Sequence, residues 1–145
     1  MRILSLPVLS ALAVSTAFLI ASPAMAEMVK YKATLDGSQQ SPPVTTKGKG
    51  TATFTFDTVK KKLSWNVKYS GLSGPATMAH IHGPADVGAN APPVIPFKTA
   101  KSPIKGSATL TDAQAADLEA GKYYVNVHTA ANKDGEIRGQ IEKAM

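Results

Sequence analysis

The chain has 145 residues, no cysteine, and 16 basic against 10 acidic side chains, a formal net charge of +6. Without cysteine there is no disulfide framework and no thiolate chemistry, so the fold must hold by packing. The positive balance comes from scattered lysines (Lys47, Lys49, Lys60 to Lys62, Lys98, Lys101, Lys105), with Arg138 the one arginine after residue 26; nucleic-acid recognition wants clustered arginine with interleaved aromatics, and scattered lysines read instead as solubility and edge protection.

Residues 1–26 read as a secretory signal. Arg2 supplies the positive start, Ile3 to Ile20 a mostly apolar run, and Ala24-Met25-Ala26 the small-x-small pattern of a cleavage site before Glu27. Ser5, Pro7, Ser10 and Ser15 interrupt the run and no basic residue directly follows it, which argues against a membrane anchor. No later apolar run is long enough to span a bilayer, so the expected product is one exported domain over residues 27–145, in the periplasm or the medium.

Met28 to Leu35 alternates apolar and polar, the period of a half-buried strand. Asp36 to Gly48, with Gly37, Pro42 and Pro43, is a loop. Gly50 to Asp57 and Lys62 to Tyr69 alternate again and form a hairpin, with Ala52, Phe54, Phe56, Leu63, Trp65, Val67 and Tyr69 inward; Trp65 reads as a core aromatic. A Gly-rich connection leads to a strand over Ala76 to His82, then a long loop from Gly83 to Pro93 and short strands at Val94 to Lys98 and Ile104 to Leu110. Thr111 to Ala120 is the one helical passage, with a capping box between Thr111 and Gln114 and a stop at Gly121. Lys122 to His128 and Glu136 to Glu142 complete about eight strands. The expected fold is all-β: an antiparallel Greek-key sandwich or barrel with one short helix.

Two strands carry the chemistry-bearing residues. The i, i+2 spacing of His80 and His82 puts both imidazoles on one face with Met78, opposite Ala79 and Ile81. On the later strand Tyr124, Asn126 and His128 share a face, opposite Tyr123, Val125 and Val127. The aliphatic faces belong inside, so all three histidines are expected on the outer face of the sheet. Ordinary surface histidines are the plain alternative, and whether the two strands are neighbours decides between them. Three imidazoles suit copper, zinc, nickel or iron, while the absence of cysteine and of a carboxylate trio disfavours structural zinc and calcium. Copper is the favoured metal. A thioether such as Met78 would favour Cu(I), although gap-filling is the usual role of methionine. Asn126 and Glu136 are candidates to orient an imidazole from behind. Hydrolase signatures are missing: no Gly-x-Ser-x-Gly elbow, no HExxH helix, no phosphate-cradling glycine loop and no dinucleotide fingerprint.

The segments Ala79-His-Ile-His-Gly-Pro-Ala85, Gly121-Lys-Tyr-Tyr-Val-Asn-Val-His-Thr129 and Gly135-Glu-Ile-Arg-Gly-Gln140, together with Leu110-Thr111 at the helix start, resemble the chordin-type (CHRD) domain. The chain is similar to small exported bacterial members with a signal peptide and one such domain. That resemblance implies an immunoglobulin-like or superoxide-dismutase-like sandwich, in a family named from repeats of an extracellular protein that binds growth factors. A fainter likeness is to copper/zinc superoxide dismutase, where a His-x-His strand supplies two copper ligands and a later strand another. By that likeness His80 and His82 match the pair and His128 the later ligand. The chain departs from the dismutase pattern in lacking a fourth, bridging histidine, a zinc loop of histidines and aspartate, and the disulfide cysteines, so dismutase turnover is not expected even with copper bound.

Two functions therefore compete. One is a non-enzymatic metal-binding protein using His80, His82 and His128. The other is a metal-free domain binding a protein or an extracellular polymer through the Gly83 to Pro93 loop, with Gly83, Gly135 and Gly139 serving tight backbone geometry and Glu136 and Arg138 forming surface pairs. An enzyme ranks below both.

Overall fold

The computed structural model describes residues 17–145, so Arg2 and most of the apolar run of the expected signal lie outside the described residues. Among the described residues no helix is long and apolar enough to cross a membrane. The elements run β1 (Met28–Asp36), β2 (Lys49–Asp57), β3 (Lys62–Ser70), β4 (Ala76–His82), β5 (Pro93–Pro96), β6 (Ile104–Thr109), α1 (Asp112–Glu119), β7 (Tyr124–Thr129), β8 (Ile137–Gln140) and β9 (Glu142–Lys143). All pair antiparallel in one sheet of order β5-β4-β7-β8-β1-β2-β3-β6, with β9 also on β1, and the sheet curls until it is nearly a closed barrel.

The alternation read from the sequence becomes the interior. Phe54 lies opposite Trp65 and Phe56 opposite Leu63 across the β2–β3 ladder, and these join Leu35, Val67, Ile81, Val125, Val127 and Ile137 in one core. Full burial of each large apolar side chain contributes about 1.5–3 kcal/mol. Trp65 is a core aromatic as expected, its ring centroid 4.8 Å from that of Phe97. Helix α1 begins with the expected capping box, Thr111 Oγ1 accepting from the Gln114 N–H and Gln114 Oε1 from the Thr111 N–H, and buries Ala115 and Leu118.

The final strand differs from expectation. It breaks into two at Ile141: β8 lies between β7 and β1, whereas β9 pairs with β1 alone. The Ile141 N–H donates to the Tyr123 carbonyl while its side chain stays in the core. Gly139 lets β8 approach β1 closely, because a Cβ there would meet the Thr34 carbonyl oxygen.

A larger departure concerns the outer face of β4, β7 and β8. Alternation does place Tyr124, Asn126, His128, Arg138 and Gln140 opposite the core, yet every one is buried. The segment after β1 and the loops that follow β4 and β7 fold over this face, and its side chains hold them there. Arg138 donates to the Ala89 carbonyl (2.6 Å) and to Asn90 Oδ1 (2.9 Å), with its guanidinium 3.5 Å from the Tyr124 ring centroid. Gln140 donates to the carbonyls of Ala85 and Gly121. Tyr124 Oη accepts from the Ala91 N–H and lies 3.1 Å from the Ala91 carbonyl. Gln40 donates to Asn126 Oδ1, and Asn126 Nδ2 in turn to the Asp134 carbonyl. The Gly83 to Pro93 loop is thus pinned to the sheet.

Glu136 and Arg138 are accordingly not surface pairs. Glu136 is fully buried. Its Oε1 accepts from Thr46 Oγ1 and the Ser73 N–H, and its Oε2 from the hydroxyls of Ser73 and Thr129. Burial pushes this carboxyl up, but the hydrogen bonds from Thr46, Ser73 and Thr129 outweigh it and hold the pKa at about 2. Glu136 therefore ties the loops before β2 and after β3 to the end of β7.

Two substitutions test these ties. Glu136→Gln exchanges an acceptor oxygen for an NH2 facing donors, and should cost about 2–3 kcal/mol in denaturant melts at pH 7. Because the folded pKa lies below the ordinary 4.5, the carboxylate's contribution is complete above that value and lost as pH falls toward 2; the gap between wild type and Glu136→Gln should narrow over this range. Arg138→Ala leaves the Ala89 carbonyl without its donor, and hydrogen exchange should accelerate at the amides of Asp86 to Ala91 by at least about tenfold while the β2–β3 amides keep their protection.

Candidate metal centre

Strands β4 and β7 are neighbours, with Met78 opposite His128, His80 opposite Asn126 and His82 opposite Tyr124. This adjacency brings the three expected histidines together. One ring nitrogen from each of His80, His82 and His128 lies within 4.8 Å of the others, a grouping that could hold a metal ion. The ring centroids are 5.0 Å apart for His80 and His128, 5.4 Å for His80 and His82, and 5.7 Å for His82 and His128. No carboxylate joins the group among the described residues.

The hydrogen bonds assign the tautomers. His82 Nδ1 lies 2.9 Å from the Ala91 carbonyl and His128 Nδ1 2.8 Å from the Lys133 carbonyl. A carbonyl only accepts, so both Nδ1 atoms carry the proton and both Nε2 atoms present a lone pair. His80 Nδ1 is 3.2 Å from His128 Nε2; with the lone pair on His128, the His80 nitrogen donates. An ion taking that proton's place would be held by His80 Nδ1, His82 Nε2 and His128 Nε2. Two nitrogens about 2.0 Å from one ion at the tetrahedral angle are about 3.3 Å apart, close to the His80–His128 separation.

His82 Nε2 is buried and has no hydrogen-bond partner. Burial lowers the pKa of His80, and the neighbouring His128 lowers it further. Burial also lowers that of His82, overcoming the opposing Ala91 hydrogen bond, with His128, His80 and Arg138 adding to the decrease. Neutral imidazole is the form that ligates.

A cavity of about 630 Å³ borders the cluster, lined by His82 and His128 together with Gln40, Pro42, Asn132 and Lys133. His80 is half-buried on the other side of the group.

The groups expected to orient the imidazoles do not do so. Asn126 is committed to Gln40 and Asp134, and Glu136 to Thr46, Ser73 and Thr129. Backbone carbonyls of the two covering loops take that role, which no side-chain pattern could announce. Gly135, expected to serve tight backbone geometry, has φ +125°, and a Cβ there would meet Asn126 Oδ1, so glycine lets the β7–β8 loop close over the site. Tyr124 had no expected role. Its ring stacks on His82, 5.0 Å between centroids and 15° between planes.

No curated protein and no solved structure matches the chain. The family model of the CHRD domain matches residues 31–141, from the middle of β1 to the residue between β8 and β9, and so takes in both histidine strands, the helix and the loops that cover the cluster. By that match, over most of its length, the chain belongs to the CHRD domain family.

Proposed function

We propose that this CHRD-domain protein is exported and binds copper, without turnover, through His80, His82 and His128. One observation carries the reading: His82 Nε2 is a buried lone pair without a donor, facing two other imidazoles on a sheet face where the other polar side chains are engaged. Leaving such an acceptor unsatisfied costs about 1–3 kcal/mol, and a metal ion would remove that cost. The all-imidazole donor set supports copper, which stands highest among divalent first-row ions for nitrogen ligands, and disfavours oxygen-seeking ions. The signal-like residues 1–26 support export, and the purified protein should begin at Glu27 by intact mass.

The alternative, a docking domain for a protein or polymer, has exposed Val87 at the tip of the loop after β4 in its favour. Its weakness is that Ala85, Ala89, Asn90 and Ala91 of that loop are committed to Gln140, Arg138 and Tyr124.

Titration of the exported, tag-free protein with Cu(I), Cu(II) and Zn(II) separates the two. Stoichiometric copper binding is expected, with His80→Ala, His82→Ala and His128→Ala each weakening it by at least about 100-fold. Equal, weak binding by wild type and all three variants would overturn the metal reading and leave docking. Circular dichroism on the variants checks that each is folded.

A further inference from the structure

Resting on the copper reading above, we infer that Met78 is a fourth, soft ligand of the histidine site and that the site selects monovalent copper. The ladder register places Met78 directly across from His128, and i, i+2 spacing places it on the same face as His80. Directly opposed residues of an antiparallel pair have Cβ atoms about 4.5–5.5 Å apart. The flexible methionine side chain spans that distance.

The usual explanation for a methionine is that it fills a gap in a core, and here it fails. Met78 is 52% exposed, on a strand whose Ala79 and Ile81 are 2% and 0% exposed. With about half its surface open to solvent, Met78 is not among the residues of the apolar core. Along β4 the outer face therefore grades from buried His82 through half-buried His80 to exposed Met78, so the thioether stands where the covering loops stop.

Charge points to the same ion. Among the described residues no carboxylate joins the three imidazoles, and none of the side chains that Arg138 contacts is a carboxylate. Arg138 is close enough to act on His82. A doubly charged ion would bring its whole charge into this surrounding, and a singly charged ion half of it. Imidazole with thioether is also the donor mixture that soft Cu(I) accepts and that Zn(II) does not favour.

The test uses Met78→Leu, a change of nearly equal volume at an exposed position that leaves the fold intact. Competition titrations of the exported protein under anaerobic conditions, with Cu(I) and with air-stable Ag(I), should show at least about tenfold weaker binding by the variant, with Cu(II) and Zn(II) affinities unchanged. X-ray absorption of the Cu(I) form should show a copper–sulfur distance that disappears in Met78→Leu. Equal Cu(I) affinities and no sulfur scatterer would overturn the role of Met78 while leaving the three-histidine site standing. A wild type that binds Cu(I) no better than the His82→Ala variant would overturn both.

Discussion

The constraint on which the rest depends is the double burial of β7. All six of its residues are out of solvent, although only one face, with Val125 and Val127, meets the apolar core. The other face presents an amide, an imidazole and a hydroxyphenyl ring, and its neighbour β8 adds a guanidinium and another amide. Buried polar groups must be partnered or they cost stability. The partners here are main-chain groups of loops distant in sequence: Gln140 reaches back to Ala85 and Arg138 to Ala89. The fold thus uses one strand pair twice, for apolar packing inside and for ordering loops outside, and the histidine cluster sits beneath those loops.

This arrangement explains which parts were legible in the sequence. Strand alternation is a local signal, and it correctly separated Ala79 and Ile81 from His80 and His82, and Tyr123, Val125 and Val127 from Tyr124, Asn126 and His128. The Thr111–Gln114 capping box is equally local and was readable for the same reason. Alternation cannot say what lies above the outward face. Arg138, the one arginine of residues 27–145, looks in sequence like a solvated charge on an outward position, and it is 2% exposed. Glu136 carries the same ambiguity, since the donors to its carboxylate lie 63 and 90 residues earlier as well as nearby. A long-range hydrogen-bond network has no period, and so it leaves no pattern to read.

The candidate site divides in the same way. The candidate ligands were visible because i, i+2 spacing in a strand makes a shared face. The nitrogens they would use were not. They follow from the Ala91 and Lys133 carbonyls, which any residue type at positions 91 and 133 would supply. Carbonyl acceptors from the covering loops hold His82 and His128 in one tautomer without adding negative charge. A carboxylate in that position would also fix the tautomer, but it would make the site hospitable to divalent ions. The uncharged carbonyl instead leaves the metal preference to the donors themselves.

Against this economy of partners, the unpaired His82 Nε2 stands apart. Two other buried atoms, Trp65 Nε1 and Asn66 Oδ1, also lack partners, and a few such atoms are normal in a native fold. Neither lies in a cluster of similar groups, whereas His82 Nε2 faces two further imidazoles. Bringing the imidazoles together also has an electrostatic consequence, since burial and the neighbouring rings disfavour the charged forms of His80 and His82. A stability-optimised sequence would place aliphatic or amide side chains on this face, as its engaged neighbours show to be feasible. That local cost, on a face whose neighbouring polar side chains are engaged, is what supports the proposed metal site.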